Sequence, residues 1–162
     1  MNKIKNEEKP HKHRTEREYL TIDELRKLAQ TPFYNGLLKK AFLFSCFCGL
    51  RHSDIIALTW GDIEMDDDGN SRLYIIQKKT KEAISLPLSQ EAIKQLPKRE
   101  DAKEDDIIFK KLITLGRTNE ILPKWAEQAG IKKHITFHTA RHTHATMMIT
   151  LGADIYLSLI HI

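Results

Sequence analysis

The sequence has few cysteines and no long apolar run. Among its 162 residues are two cysteines, and no apolar stretch approaches the ~20 residues that a membrane-spanning helix needs. The N-terminus is polar and lacks the apolar segment of a secretory signal peptide. Cys46 and Cys48 lie two positions apart in an apolar stretch, so we expect two buried free thiols in a cytoplasmic protein without a membrane partner.

A recognisable metal motif is also lacking, although the chain contains eight histidines. His138 and His142 are four positions apart, but no His-Glu-x-x-His sequence and no usable cysteine pair accompanies them. We therefore expect no metal and no other cofactor, and we expect packing or hydrogen-bonding roles for His142 and His144. A metal-dependent phosphodiesterase that uses the histidine cluster remains an alternative.

The composition is that of a single globular domain with a polar extension. Apolar residues make up 41% of the chain and charged residues 30%, and the net charge is +4. Residues 1–18 are polar with mixed charge, and this predicts a linker or arm that does not fold alone. The modest positive charge permits a polyanionic partner without requiring one.

Helical signals dominate the chain. Thr21 and Glu24 form a capping box that predicts the first helix, and Pro32 marks the expected start of a second helix that stops at Gly49. A short third helix is expected with Ser53 as its cap. Later helices are predicted at 89–95, at 119–129 with Asn119 as cap and Pro123 in the first turn, and at 139–151, ended by Gly152.

Between these helices the apolar period changes from helical to alternating. Residues 62–65, 71–77 and 83–88 predict three short strands joined by two turn-like segments. The expected fold class is α+β, mainly helical, with a small three-stranded antiparallel sheet packed on helices.

Two stretches carry residues suited to phosphate chemistry. Arg51 follows a helix-ending Gly-Leu pair, and Asp54 is close enough in sequence to orient its guanidinium; the alternative is a surface ion pair of little consequence. His138 and Arg141 are three residues apart and share a helix face. Arginine binds phosphate oxygens bidentately, and imidazole can donate a proton near neutral pH.

A third stretch is the lysine-rich turn between the second and third predicted strands. Lys78, Lys79 and Lys81 lie at the hairpin tip, from which a flexible ammonium can reach outward. Such a turn is usually only exposed to solvent, so its lysines indicate a function only together with the two stretches described above.

In chain order, these motifs resemble the catalytic domain of tyrosine recombinases, the phage integrase family. The matching segments are G-L-R-H-S-D-I, K-K-T before S-L-P-L, and H-T-A-R-H-T-H-A-T before L-G-A-D-I. The resemblance covers residues 20–156 and implies the catalytic fold of that family. It also implies a partial catalytic domain at 19–156, with duplex DNA as partner, a tetramer of the parent protein on DNA, and no small-molecule substrate.

The resemblance implies cleavage and rejoining of DNA through a 3′-phosphotyrosyl intermediate, without metal or nucleotide. Arg51, His138 and Arg141 match the residues that bind the scissile phosphate, with Asp54 in support. Lys79 is the best match to the lysine that protonates the leaving 5′ oxygen, although Lys78 and Lys81 remain open. DNA contacts are expected from Arg51, Lys79 and Arg141.

Two departures from the family pattern concern the C-terminal end. Tyr156 is too close to Arg141 to match the family's nucleophile, and His161 comes too early to match its second histidine or tryptophan. Residues 157–162 match a translated transposon-end adapter, so we expect a non-native tail. We therefore expect a fragment, cut at both ends, that lacks the nucleophile, is inactive and only binds DNA. A non-catalytic DNA-binding regulator with the same fold is the alternative.

Overall fold

A computed structural model describes residues 18–160, with side chains from 18 to 152. The predicted linker up to residue 17 and His161 lie outside the described residues. So do the side chains of Tyr156 and of the predicted tail.

Six helices and one sheet follow each other along this part of the chain. The helices are α1 (Ile22–Gln30), α2 (Gly36–Cys48), α3 (His52–Ile55), α4 (Gln90–Lys94), α5 (Leu115–Gln128) and α6 (Phe137–Ile160). The strands are β1 (Ile63–Met65), β2 (Ser71–Ile76) and β3 (Ala83–Pro87), and a short 3-10 turn at Trp60–Asp62 leads into β1. The predicted α+β, mainly helical fold class is confirmed.

The first helix begins as predicted, and the second does not. Thr21 and Glu24 form the reciprocal capping box of α1. The predicted start of α2 at Pro32 is wrong, because α2 begins at Gly36 with the Asn35 side chain accepting a hydrogen bond from the Leu38 amide. The preceding segment is held outside a helix by its Thr31 carbonyl, which accepts hydrogen bonds from the side chains of Lys39 and Trp125.

The three strands form an antiparallel meander in the order β1-β2-β3. Leu73 is the buried centre of the sheet and pairs with Ile63 on one side and Leu86 on the other. Ile63, Leu86 and Ile75 pack partly buried against the main hydrophobic core. The sheet thus lies against the helices along one face, and the predicted strands agree with it within a residue at each end.

The fifth helix departs most from the prediction. It begins at Leu115 with Thr114 as its cap, so Asn119 is not the cap and Pro123 lies inside the helix. An interior proline costs about 3 kcal/mol or more, but Leu122 and Trp125 are completely buried on the same helix. The burial of these large side chains offsets the missing hydrogen bond.

Helix α2 is the centre of the core and packs against α6 and α4. Both cysteines lie in it and are buried with free thiols, as expected. Helix α6 is interrupted at Gly152, where φ is +72°, so the predicted stop is confirmed. Within the described residues, no helix has the length and apolar character that a membrane crossing requires.

Candidate functional site

Arg51 is positioned by the tight turn that ends α2. Gly49 adopts φ +72°, a left-handed conformation that favours glycine, and its amide donates a hydrogen bond to the Ser45 carbonyl. The buried Ser45 hydroxyl donates to the Leu50 carbonyl at 2.6 Å. Arg51 then caps α3, whose predicted cap, Ser53, is wrong by two residues. The backbone on both sides of Arg51 is therefore fixed.

Asp54 connects this turn to the lysine hairpin. Its carboxylate is buried, with 4% of the residue exposed. Oxygen Oδ1 accepts a hydrogen bond from the Lys78 amide at 2.8 Å, and Oδ2 accepts a longer one from the Arg51 amide at 3.4 Å. The aspartate therefore supports the main chain of Arg51 and of the hairpin, whereas the predicted orientation of the Arg51 guanidinium by Asp54 stays a prediction.

The hairpin between β2 and β3 presents two neighbouring lysines to different cavities. Gln77 closes the turn, because its amide donates to Glu82 and its carbonyl accepts from Lys81, which has φ +61°. Lys79 lines the cavity that also contains Arg51, whereas Lys78 lines a smaller neighbouring cavity beside Asp54. Lys78 and Lys79, which the sequence left open as candidates for the lysine of the site, thus lie in different cavities.

Helix α6 supplies the other two predicted residues. Its first amide, from Phe137, donates to the Asn119 side chain at 2.8 Å, which fixes the start of the helix. His138 follows immediately, and its ring meets that of His142 edge to face at 4.5 Å. Arg141 reaches across to α2, where Nη1 donates to the Gly49 carbonyl at 2.8 Å.

Four predicted site residues share one cavity of about 510 Å³. They are Arg51, Lys79, His138 and Arg141, brought from the α2–α3 turn, the hairpin and α6. Asp54 does not line this cavity and lies behind it. Three cationic or proton-donating side-chain types therefore converge from distant parts of the chain on one concave surface.

The cavity has unbalanced positive charge. Nη1 of Arg51 is buried and has no hydrogen-bond partner among the described residues. Burial lowers the pKa of Arg141, and the nearby Arg51 guanidinium lowers it further, while Asp54 opposes the shift. Guanidinium nevertheless stays protonated at neutral pH. Two neighbouring cations and an unpartnered buried donor together form a site that an anion would stabilise.

A second imidazole, that of His52, also lines the cavity and is held in place by two contacts. The Nε2 atom of His52 lies 3.0 Å from the Ile113 carbonyl, and its ring contacts Phe137 edge to face. Burial lowers the pKa of His52, although the hydrogen bond to Ile113 opposes this. In the part of the chain that the structure describes, no group of three or more His, Cys, Asp or Glu side chains is placed to hold a metal ion.

Two residues of the site region were missed by sequence reasoning. Asn119 was predicted to cap its own helix, but it caps α6 instead. His144 was expected to have a packing or hydrogen-bonding role, but its contact with Gly49 was not predicted. Both contacts join residues far apart in sequence, so no local pattern marks them.

The chain is similar to known proteins over most of its length. The model of the phage integrase family matches residues 18–157. The tyrosine recombinase XerC of Chlamydia caviae is 30% identical over 151 residues, which cover 84% of this chain and 47% of the relative. The chain thus spans about half the length of such relatives.

Solved structures share the fold. The catalytic core of lambda integrase superposes with a TM-score of 0.64 at 22% identity, over 88% of this chain and 90% of that one. A lambda integrase tetramer bound to a Holliday junction gives 0.62 at 21% identity, over 88% and 44%. The predicted tyrosine-recombinase catalytic fold is confirmed, and the chain belongs to the phage integrase family.

Proposed function

We propose that the cavity binds a phosphate of duplex DNA and that the parent protein is a site-specific recombinase. The observation that carries this proposal is the buried, unpartnered Nη1 of Arg51 beside Arg141. A phosphodiester offers two non-bridging oxygens, and a pair of guanidiniums can bind both. Residues 19–156 are the proposed extent of the partial catalytic domain.

Each cavity residue has a role in the proposed reaction. Attack on a phosphodiester concentrates negative charge on the non-bridging oxygens, and fixed cations stabilise that charge without a metal. Arg51 and Arg141 provide these cations, and His138 donates a hydrogen bond to the same oxygens. Lys79 protonates the leaving 5′ oxygen, since it lines the same cavity as the arginines while Lys78 does not.

Duplex DNA is the proposed partner, with a tetramer of the parent protein as the recombining assembly. Support comes from the family membership and from the similarity to the lambda integrase tetramer on a Holliday junction. Phosphate contacts by lysines and arginines outside the cavity would make DNA binding sensitive to salt.

For the 162-residue chain itself, we propose DNA binding without cleavage. The family's pattern places its nucleophilic tyrosine well beyond the position of Tyr156, and no tyrosine follows Tyr156 in this sequence. Incubation with a library of nicked suicide duplexes tests this proposal. We expect no covalent protein–DNA adduct on a denaturing gel, and an adduct would show that this chain contains a working nucleophile.

DNA affinity tests the phosphate site directly. Fluorescence anisotropy with a labelled duplex should show that Arg51→Ala and Arg141→Ala each weaken binding about tenfold or more, the value expected for a charge-assisted hydrogen bond. Arg26→Ala is the matched control, because Arg26 is exposed on α1 and pairs with Asp23. Its affinity should stay within about twofold of the unmodified chain.

Two further measurements separate the alternatives. Lys79→Ala and Lys78→Ala remove the same charge from neighbouring positions. Lys79→Ala should weaken DNA binding at least as much as Lys78→Ala, and only Lys79→Ala should slow cleavage in the longer parent protein. A non-catalytic regulator would show no cleavage by the parent and only small effects of Arg51→Ala. A metal-dependent phosphodiesterase would lose its activity in EDTA.

A further inference from the structure

His144 lies behind the arginine cavity rather than in it. It is on α6, nearly one turn after Arg141, and it lines a separate apolar groove, whereas Arg141 lines the arginine cavity. A Cβ atom added to Gly49 would lie 2.6 Å from Cδ2 of His144. The imidazole therefore fills the space that only a glycine leaves open at the end of α2.

The same imidazole makes a hydrogen bond to the backbone of Cys46. The Cys46 carbonyl belongs to the last turn of α2, where carbonyls have no partner within the helix. Burial lowers the pKa of His144, the bond to Cys46 opposes this, and the charge of Arg141 lowers the pKa further. The ring therefore stays uncharged near neutral pH and adds no third cation beside the two arginines.

The segment held by His144 is the one on which both arginines depend. Arg141 donates to the Gly49 carbonyl at 2.8 Å, and Arg51 follows Gly49 after a single residue whose carbonyl is held by Ser45. A shift of the end of α2 would therefore move both guanidiniums at once. The contact from His144 resists such a shift.

We propose that His144 is a positioning residue that sets the spacing of Arg51 and Arg141 by holding the Gly49 turn against α6. This inference rests on the proposed phosphate site. It assigns to His144 no contact with the phosphate. Its effect on binding is transmitted through the Gly49 carbonyl and the backbone of Arg51.

The test is a double-mutant cycle read by inorganic phosphate binding. Phosphate is titrated into the 162-residue chain, and the arginine Nε–H resonances are followed by NMR. His144→Phe keeps the ring volume but cannot donate to Cys46, so phosphate affinity should fall about tenfold, as for one lost hydrogen bond. His144→Gln retains a donor and should stay within about threefold of the unmodified chain.

In the Arg141→Ala background, His144→Phe should change phosphate affinity by less than about twofold, because no spacing between two guanidiniums remains once one of them has been removed. Equal effects in both backgrounds, or no effect of His144→Phe alone, would overturn the proposal. His134→Phe is the control for the same substitution at an exposed site and should leave affinity unchanged.

Folding of each variant is checked by urea denaturation. If His144→Phe does not fold, His144→Ala replaces it in the cycle, since alanine also cannot donate a hydrogen bond and demands no extra space. Failure of the proposed function looks different: Arg51→Ala and Arg141→Ala would then bind phosphate as tightly as the unmodified chain, whatever the His144 variants do.

Discussion

Replacing Asp54 with alanine should destabilise the fold and loosen the lysine hairpin. The carboxylate is buried and accepts hydrogen bonds from the amides of Lys78 and Arg51, at 2.8 and 3.4 Å. No other hydrogen bond to the Lys78 amide is seen among the described residues. Asp54→Ala therefore removes the link between the turn that carries Arg51 and the lysine hairpin.

The magnitude follows from these two contacts. A hydrogen bond to a charged acceptor contributes about 1.5–3 kcal/mol, and the 3.4 Å contact adds little to that. We expect the free energy of unfolding to fall by about 2–3 kcal/mol in Asp54→Ala. For a chain of this length, that corresponds to a fall in Tm of about 5–10 °C. Asp54→Asn keeps one amide oxygen as acceptor, so its loss should be about half as large.

The assay is urea denaturation monitored by circular dichroism, together with amide hydrogen exchange at Lys78. Exchange at that amide should accelerate strongly in Asp54→Ala, because its acceptor has been removed. Asp67→Ala, on the exposed β1–β2 turn, is the control and should change stability by less than about 0.5 kcal/mol. Unchanged stability with unchanged Lys78 exchange would refute the reasoning.

Two further predictions concern titration and thiol reactivity. Burial lowers the pKa values of His52 and His144 in the folded chain, so both side chains are neutral in the folded and the unfolded chain above pH ~6.5. Below that pH the unfolded chain binds protons before the folded chain does. The free energy of unfolding therefore falls, by up to ~1.4 kcal/mol per pH unit for each histidine. Unfolding measured from pH 7 to 5 should show this loss, and a double His→Gln variant should lose less; an equal loss would contradict the assignment. Burial raises the pKa of Cys48 to about 12 and that of Cys46 well above its usual value. A thiol-specific disulfide reagent should therefore react with neither cysteine in the folded chain and with both in urea. Rapid reaction of the folded chain would contradict the buried positions.

Local signals predicted the elements that depend on neighbouring residues. The capping box of Thr21 and Glu24 and the stop at Gly49 depend on atoms within one helical turn, so the sequence contains the information needed. The strands follow from alternation alone. Agreement is therefore best where the relevant contacts are short in sequence.

The errors lie where distant contacts decide the backbone. Pro32 is a common first residue of a helix, yet Phe33 stacks on Trp125 with ring centroids 4.9 Å apart, and the Trp125 indole donates to the Thr31 carbonyl. These contacts join residues more than 90 positions apart, and they hold the segment in an irregular conformation until Asn35 starts the helix. A propensity for one residue cannot reveal such a partner.

The candidate site shows the same limit in a different form. The motifs that hold Arg51 and Arg141 could be identified from the sequence, but their residues alone left a surface ion pair as an alternative. Only the fold brings Arg141 to the Gly49 carbonyl, 92 positions away, and leaves Nη1 of Arg51 without a partner in the part of the chain that the structure describes.

Gly49 shows how one residue carries both kinds of information. The sequence predicts that Gly49 ends a helix, and this role requires only a residue that adopts a left-handed conformation, as glycine readily does. In the fold its missing side chain also makes room for His144, and its carbonyl accepts from Arg141. An alanine at this position would therefore disturb the turn, the imidazole and the guanidinium together, so the helix stop and the proposed anion site are one structural unit.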